Sequence, residues 1–136
     1  MLVLAASLIG PTLPWMLETR HAEAVHIRRA GEWIREQARG TPRVMTTRHR
    51  AAFYANGLHV WCPPDLDAGW VLAEARTWRP GWLVFEEREQ SREVDAFFDG
   101  LRKSLAPGEH LERVRTTTGD GPAARQAAIF RYSPPP

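Results

Sequence analysis

The chain has one cysteine, Cys62, in 136 residues. That excludes an intramolecular disulfide framework and any cysteine-rich zinc site. Glycine motifs for nucleotides are missing too: there is no Gly-x-Gly-x-x-Gly after a strand, no Walker loop and no Gly-x-Ser-x-Gly elbow. Without them a dinucleotide pyrophosphate has no close backbone approach at the first strand–helix turn. None of the five histidines stands in a His-Glu-x-x-His or His-x-His pattern. His21 and His26, five apart on a helix, diverge by roughly 140°, so no metal and no cofactor is expected. A one-sided charge is also lacking. The 18 basic and 16 acidic residues leave a formal +2, too little to imply a nucleic-acid partner. No repeat, low-complexity segment or apolar run of about 20 residues, the length of a membrane span, occurs.

What is present is an ordinary globular composition, 43% hydrophobic and 25% charged, in a length that suits one domain with a real core. Residues 1–17 carry no charge. They lack the basic start of a secretory signal, and Pro11 and Pro14 interrupt them after Gly10. The segment fits the last two turns of a membrane helix followed by a proline-rich exit, with Trp15 at interface depth. An apolar arm packed on the domain's own core is the other reading. Residues 18–136 then form the single folded domain.

Residues 20–39 read as an amphipathic helix. His26, Ile27, Ala30, Trp33, Ile34 and Ala38 fall with Ala22 in a sector about 160° wide. Residues 43–47 suit a buried strand, 48–56 a short helix and 58–61 a second strand closed by Pro63-Pro64. Asp65 or Asp67 caps the next helix, which runs to about Thr77. Trp82 to Glu86 is the strongest buried strand. Ser91 caps a helix with apolar residues at 94, 97, 98, 101 and 105. Residues 110–118 and 126–133 make two final strands. This alternation predicts a small three-layer α/β sandwich, with a mostly parallel sheet flanked by helices and antiparallel strands at its C-terminal edge.

Arg48, His49 and Arg50, with Tyr54 closing the same run, are the candidate ligand-binding residues. They follow the first strand, so they reach the carboxyl edge of the sheet, where open α/β folds place ligands, and they suit a phosphate or lipid head group. A solvated first turn with Phe53 and Tyr54 packed inward explains the same residues, and carries more weight because a three-residue basic cluster is a weak motif. Glu86 and Glu87 end the strongest strand, but adjacent strand residues face opposite ways, so they form no acid–base dyad. Cys62 reads as a small buried residue, with His59 nearby but not fixed toward it. Among the tryptophans, Trp15 and Trp78 are the candidates for a membrane interface.

The order of these pieces resembles the C-terminal extracytoplasmic domain of bacterial membrane glycosyltransferases related to the protein mannosyltransferases and the aminoarabinose transferase. There a last membrane helix leads into a helix with the pattern carried here by Arg29-Ala-Gly-Glu-Trp33-Ile34-Arg35. A segment similar to AFYAGG follows, here Ala52-Phe-Tyr-Ala-Asn-Gly57. A strand similar to ADYLVVDERE is Pro80-Gly-Trp-Leu-Val-Phe-Glu-Glu-Arg-Glu89, and a last strand similar to VLVYRL is Ala128-Ile-Phe-Arg-Tyr132. The resemblance implies a non-catalytic terminal module on the periplasmic side of a bacterial inner membrane, since no segment matches the loop that holds the family's catalytic acid. Its partners would be the membrane-embedded parent domain, reached through residues 1–17, and a polyprenyl-phosphate-linked sugar or acceptor lipid. Asn56 and His59-Val-Trp-Cys62 depart from the family's pattern. Two rival readings stand beside it: a free-standing α/β protein that binds a phosphate-bearing small molecule through Arg48, His49 and Arg50, and a non-enzymatic interaction module.

Overall fold

In the three inner strands apolar residues follow one another without a break, and alternate ones serve opposite faces of the sheet. The computed structural model describes residues 12–62, 67–87, 92–121 and 125–136, with side chains from Val25 onward in the first helix and from Asp95 onward in the last. The elements are α1 (Thr12–Gln37), β1 (Arg43–Thr46), α2 (His49–Tyr54), β2 (Leu58–Trp61), α3 (Ala68–Trp78), β3 (Trp82–Glu87), α4 (Arg92–Lys103), β4 (His110–Thr118) and β5 (Gln126–Ser133). One five-stranded sheet has the order β2-β1-β3-β5-β4. β1 is parallel to β2 and to β3, and β5 is antiparallel to both β3 and β4. Four strands therefore share one direction and β5 alone is reversed. The expected small α/β sandwich is the fold observed.

The two cores follow from the pleat, which sends successive side chains to opposite faces. Val44, Trp82, Val84, Ala127 and Ile129 pack under Ile27, Ala30 and Ile34 of α1 and Ala51 and Ala52 of α2. Met45, Leu83, Phe85, Ala128, Phe130 and Tyr132 pack against Val71, Leu72 and Ala75 of α3 and Phe97, Phe98 and Leu101 of α4. Burial on both faces explains why β3 and β5 read as continuous apolar runs. The outer strands are more exposed, and β4 is lined with charge at Glu112, Arg113 and Arg115, which guards an open edge against pairing with another chain.

Most element boundaries lie within two residues of those expected. Asp67, not Asp65, caps α3: its Oδ1 accepts the Trp70 N–H at 2.7 Å. The cap expected at Ser91 lies outside the described residues, as do residues 1–11 and their membrane-helix reading. The larger correction concerns α1. It begins at Thr12 rather than near residue 20, so the expected proline-rich exit is helical from Thr12 onward. Pro14 falls in the first turn, where backbone N–H groups have no intrahelical acceptor for a proline to remove. No described helix is long and apolar enough to cross a membrane.

Candidate functional site

The connection after β1 leads to α2 on one face of the sheet, and the connection after β3 leads to α4 on the other. The crevice between the carboxyl ends of β1 and β3 is thus a topological switch point, the usual place for a ligand in an open α/β sheet. Glu86 stands there. It continues the Trp82-Val84 side of β3, so it faces α1, while Glu87 faces the other way and pairs with Arg113 at 2.9 Å. The separation expected from strand geometry holds.

Four donors converge on the Glu86 carboxylate. His26 Nε2 donates to Oε1 at 2.9 Å, and Arg125 Nη1 donates to the same oxygen at 3.3 Å. Arg48 grips Oε2 with Nε at 3.2 Å and Nη2 at 3.1 Å. The hydrogen bond from His26, followed by the charge of Arg48, holds the Glu86 carboxyl down to about 2 despite the opposing effect of burial. A group so acidic is ionised at neutral pH and is too weak a base for proton abstraction. His26 is 1% exposed, its carbonyl accepts the Thr117 hydroxyl at 2.7 Å, and its Nδ1 is buried without a partner. With Nε2 turned to the carboxylate, Nδ1 is the ring nitrogen that faces away from it. It lies under Gly119, where an added Cβ would come within 3.7 Å.

Arg48 is therefore already engaged, its backbone N–H bound to Thr46 Oγ1 at 3.1 Å as well. His49 and Arg50 are exposed in the first turn of α2. Tyr54 is half-buried at the other end of that helix, edge-on to Phe53, which is 74% exposed rather than packed inward as expected. The four candidates do not converge on one point. His26 and Arg125 were not singled out as site residues, because they lie far from Arg48 and Glu86 in the chain and only folding unites them. His26's place on the apolar helix face was the one available signal.

Trp15 and Trp78 fall toward opposite ends of α1. Trp15 is in the first turn of α1. Trp78 sits at the amino edge of the sheet, where its carbonyl accepts Arg43 Nη1 at 3.1 Å. Cys62 is buried, which pushes its thiol up to about 11, so it stays protonated and unreactive. His59 Nε2 bonds the Thr46 carbonyl at 2.9 Å. Among the described residues no group of His, Cys, Asp and Glu is arranged to hold a metal ion.

A second arrangement occupies the opposite edge. Gln37, Ala38, Arg39, Thr41 and Pro42 of the α1–β1 link, together with Arg43, Arg79, Gly81, Trp82 and Arg131, line an open cavity of about 680 Å³. Among the described residues, four arginines and no carboxylate contribute to its wall.

Comparison with protein-family models, curated proteins and solved structures finds no match to the chain.

Proposed function

We propose that the chain is a non-catalytic extracytoplasmic module of a bacterial membrane glycosyltransferase, carried on its apolar N-terminal segment and aiding acceptor recognition during transfer from a polyprenyl-phosphate-linked sugar. The observation that carries this reading is α1. It continues unbroken from Thr12, inside the charge-free opening, to Gln37 beside the sheet. At about 1.5 Å per residue, Thr12 lies roughly 20 Å up the helix from His26, which packs at the carboxyl edge. A stiff rod of this kind sets the domain at a fixed height above whatever holds its start.

The motif residues support the reading through packing. Ala30 and Ile34 are fully buried, and Trp33 stands edge-on to Trp82 at 5.8 Å. Gly31 lets α2 approach: a Cβ there would meet the Ala51 carbonyl oxygen at 2.5 Å and Tyr54 Cβ at 2.6 Å. Gly57 is as tight against the Pro42 carbonyl oxygen, at 2.5 Å. The residues shared with the family's motifs thus make the scaffold. Glu86 is held ionised by four donors, and burial keeps the Cys62 thiol protonated.

The test is expression of the full chain in a bacterium, followed by membrane fractionation and protease accessibility. The chain is expected in the inner-membrane fraction after carbonate washing, with its α/β body cleaved only from the periplasmic side. Replacing Leu4 and Ile9 with lysine is expected to move most of it to the soluble fraction. The purified chain is expected to transfer no sugar from a polyprenyl-phosphate donor. Recovery of the unaltered chain in the soluble fraction, or sugar transfer by the chain alone, would defeat the proposal.

A further inference from the structure

The cavity at the amino edge concentrates charge that the rest of the molecule disperses. The whole chain carries a formal +2, yet Arg39, Arg43, Arg79 and Arg131 surround this one opening. Arg43 spends one Nη on the Trp78 carbonyl, and Arg131 lies over the Trp82 ring at 5.1 Å from its centroid. None of the four forms an ion pair among the described residues. Even Glu112, the cross-strand partner of Arg131, makes none with it. The contrast with the rest of the fold is plain: Arg29, Arg48, Arg76, Arg113 and Arg125 each meet a carboxylate.

Arg79 adds an independent sign. It ends α3 in the left-handed conformation, φ 48° and ψ 56°, a position at which glycine is the usual residue and a side chain is strained. The chain bears that strain to place a guanidinium on the cavity wall, two residues before Gly81.

We infer that this cavity binds a compact phosphoryl-bearing anion, of the diphosphate or sugar-phosphate class. Guanidinium groups present paired N–H donors that match phosphate oxygens, and several converging on one opening repel one another until an anion neutralises them. The volume is that of a small-molecule site. Among the described residues the one aromatic side chain on the wall, Trp82, is already covered by Arg131, so recognition there rests on charge rather than on a nucleobase platform. The cavity lies at the Gln37 end of α1, roughly 35 Å along the helix from Thr12. The anion is therefore met on the side of the domain away from the apolar segment. This inference rests on the cavity alone and not on the membrane reading.

The experiment titrates the full chain with inorganic pyrophosphate at 150 mM salt, by calorimetry and by thermal shift, with sulfate at the same concentrations as the control. Saturable binding in the micromolar to low-millimolar range, at least tenfold tighter than sulfate, is expected. Arg79→Gly removes one guanidinium and relieves the left-handed strain, so its melting temperature is expected to rise while affinity falls about fivefold. The pair Arg39→Ala and Arg79→Gly is expected to lose at least twentyfold. Vesicles of phosphatidylcholine with phosphatidic acid distinguish the source of the phosphoryl group. Flotation that phosphatidic acid strengthens over phosphatidylcholine alone, and that the double variant returns to the phosphatidylcholine level, assigns it to a lipid; pyrophosphate binding with flotation unchanged by phosphatidic acid assigns it to a soluble ligand, and either supports the site. No saturable binding, equal binding of sulfate, or undiminished binding by a folded double variant overturns it.

Discussion

At the scale of single residues, Glu86 and Glu109 are the described carboxylates that folding makes markedly more acidic. Glu109 accepts from Arg76 Nε and Nη2, the Ala106 N–H and the Tyr132 hydroxyl, and the Arg76 hydrogen bonds chiefly hold its carboxyl down to about 2. Glu86 is lowered equally far from its ordinary 4.5. A carboxyl depressed by folding stabilises the protein above its unfolded value, and that contribution drains away as pH falls toward the folded value. Because the Arg48 side chain is about half exposed, solvent screening leaves the Glu86 cluster worth on the order of 2 kcal/mol. Glu86→Gln is therefore expected to lower unfolding free energy by about 2 kcal/mol at pH 7, with the difference shrinking between pH 4.5 and pH 2. Urea unfolding at three pH values across that window checks it, and a difference that stays constant with pH would refute the assignment. Gly31 provides a second residue-scale prediction. Alanine normally favours a helix over glycine by about 1 kcal/mol, but here the new Cβ meets the Ala51 carbonyl oxygen at 2.5 Å. Gly31→Ala is expected to destabilise by roughly 1–3 kcal/mol, read as a lower midpoint in the same unfolding experiment.

At the scale of elements, α4 and β3 share the densest aromatic packing. Phe85 lies 5.2 Å from Phe97, 6.1 Å from Phe98 and 6.0 Å from Phe130, all nearly edge-on, and Phe98 lies 5.0 Å from Phe130. Such pairs add to simple burial. Phe85→Ala is expected to cost about 3–5 kcal/mol through the cavity it leaves, while Phe53→Ala, on the exposed face of α2, is expected to change stability by less than about 0.5 kcal/mol. Thermal unfolding of the two variants checks the contrast. α1 behaves differently along its length. Its second half is tied to the sheet by Ile27, Ala30 and Ile34 and to the β4–β5 connection by Arg29, which donates to the Thr118 carbonyl and meets Asp120. The helix therefore couples its own axis to the final hairpin as well as to the parallel strands.

At the scale of the whole molecule, the two edges of the sheet have opposite electrostatic designs. At the carboxyl edge Arg48 and Arg125 share the single Glu86 carboxylate, and buried His26 completes the cluster. The amino edge keeps its guanidinium groups uncompensated around an opening. Ligand sites usually gather at the carboxyl edge of a parallel sheet, and here that edge acts as a clasp between α1, β1, β3 and the β5 approach. An anionic ligand is expected to protect the Arg39, Arg43 and Arg79 segments from hydrogen exchange and to leave the Glu86 cluster unchanged. Exchange mass spectrometry with and without pyrophosphate reads both regions in one experiment, and protection at Glu86 instead would reverse the assignment of the two edges.

The amino-acid pattern by itself determined the order of elements and the faces they bury. Hydrophobic periodicity is local, so the spacing of Ile27, Ala30 and Ile34 marks the buried side of α1, and the run Trp82-Leu-Val-Phe85 marks a strand covered on both faces. The same local rule separates Glu86 from Glu87. It misplaced the start of α1, because a proline reads as a helix breaker until its place in the first turn is known. Only the tertiary structure decided which charges meet. His26, Arg48, Glu86 and Arg125 are scattered along the chain, as are Arg39, Arg43, Arg79 and Arg131. Their partners are set by strand order and by the handedness of the connections, which carry no signature in any one segment. Whether an arginine ends as a clasp or as an open cation depends on which carboxylate the fold brings within about 3 Å of it, and that distance exists only once the sheet is assembled.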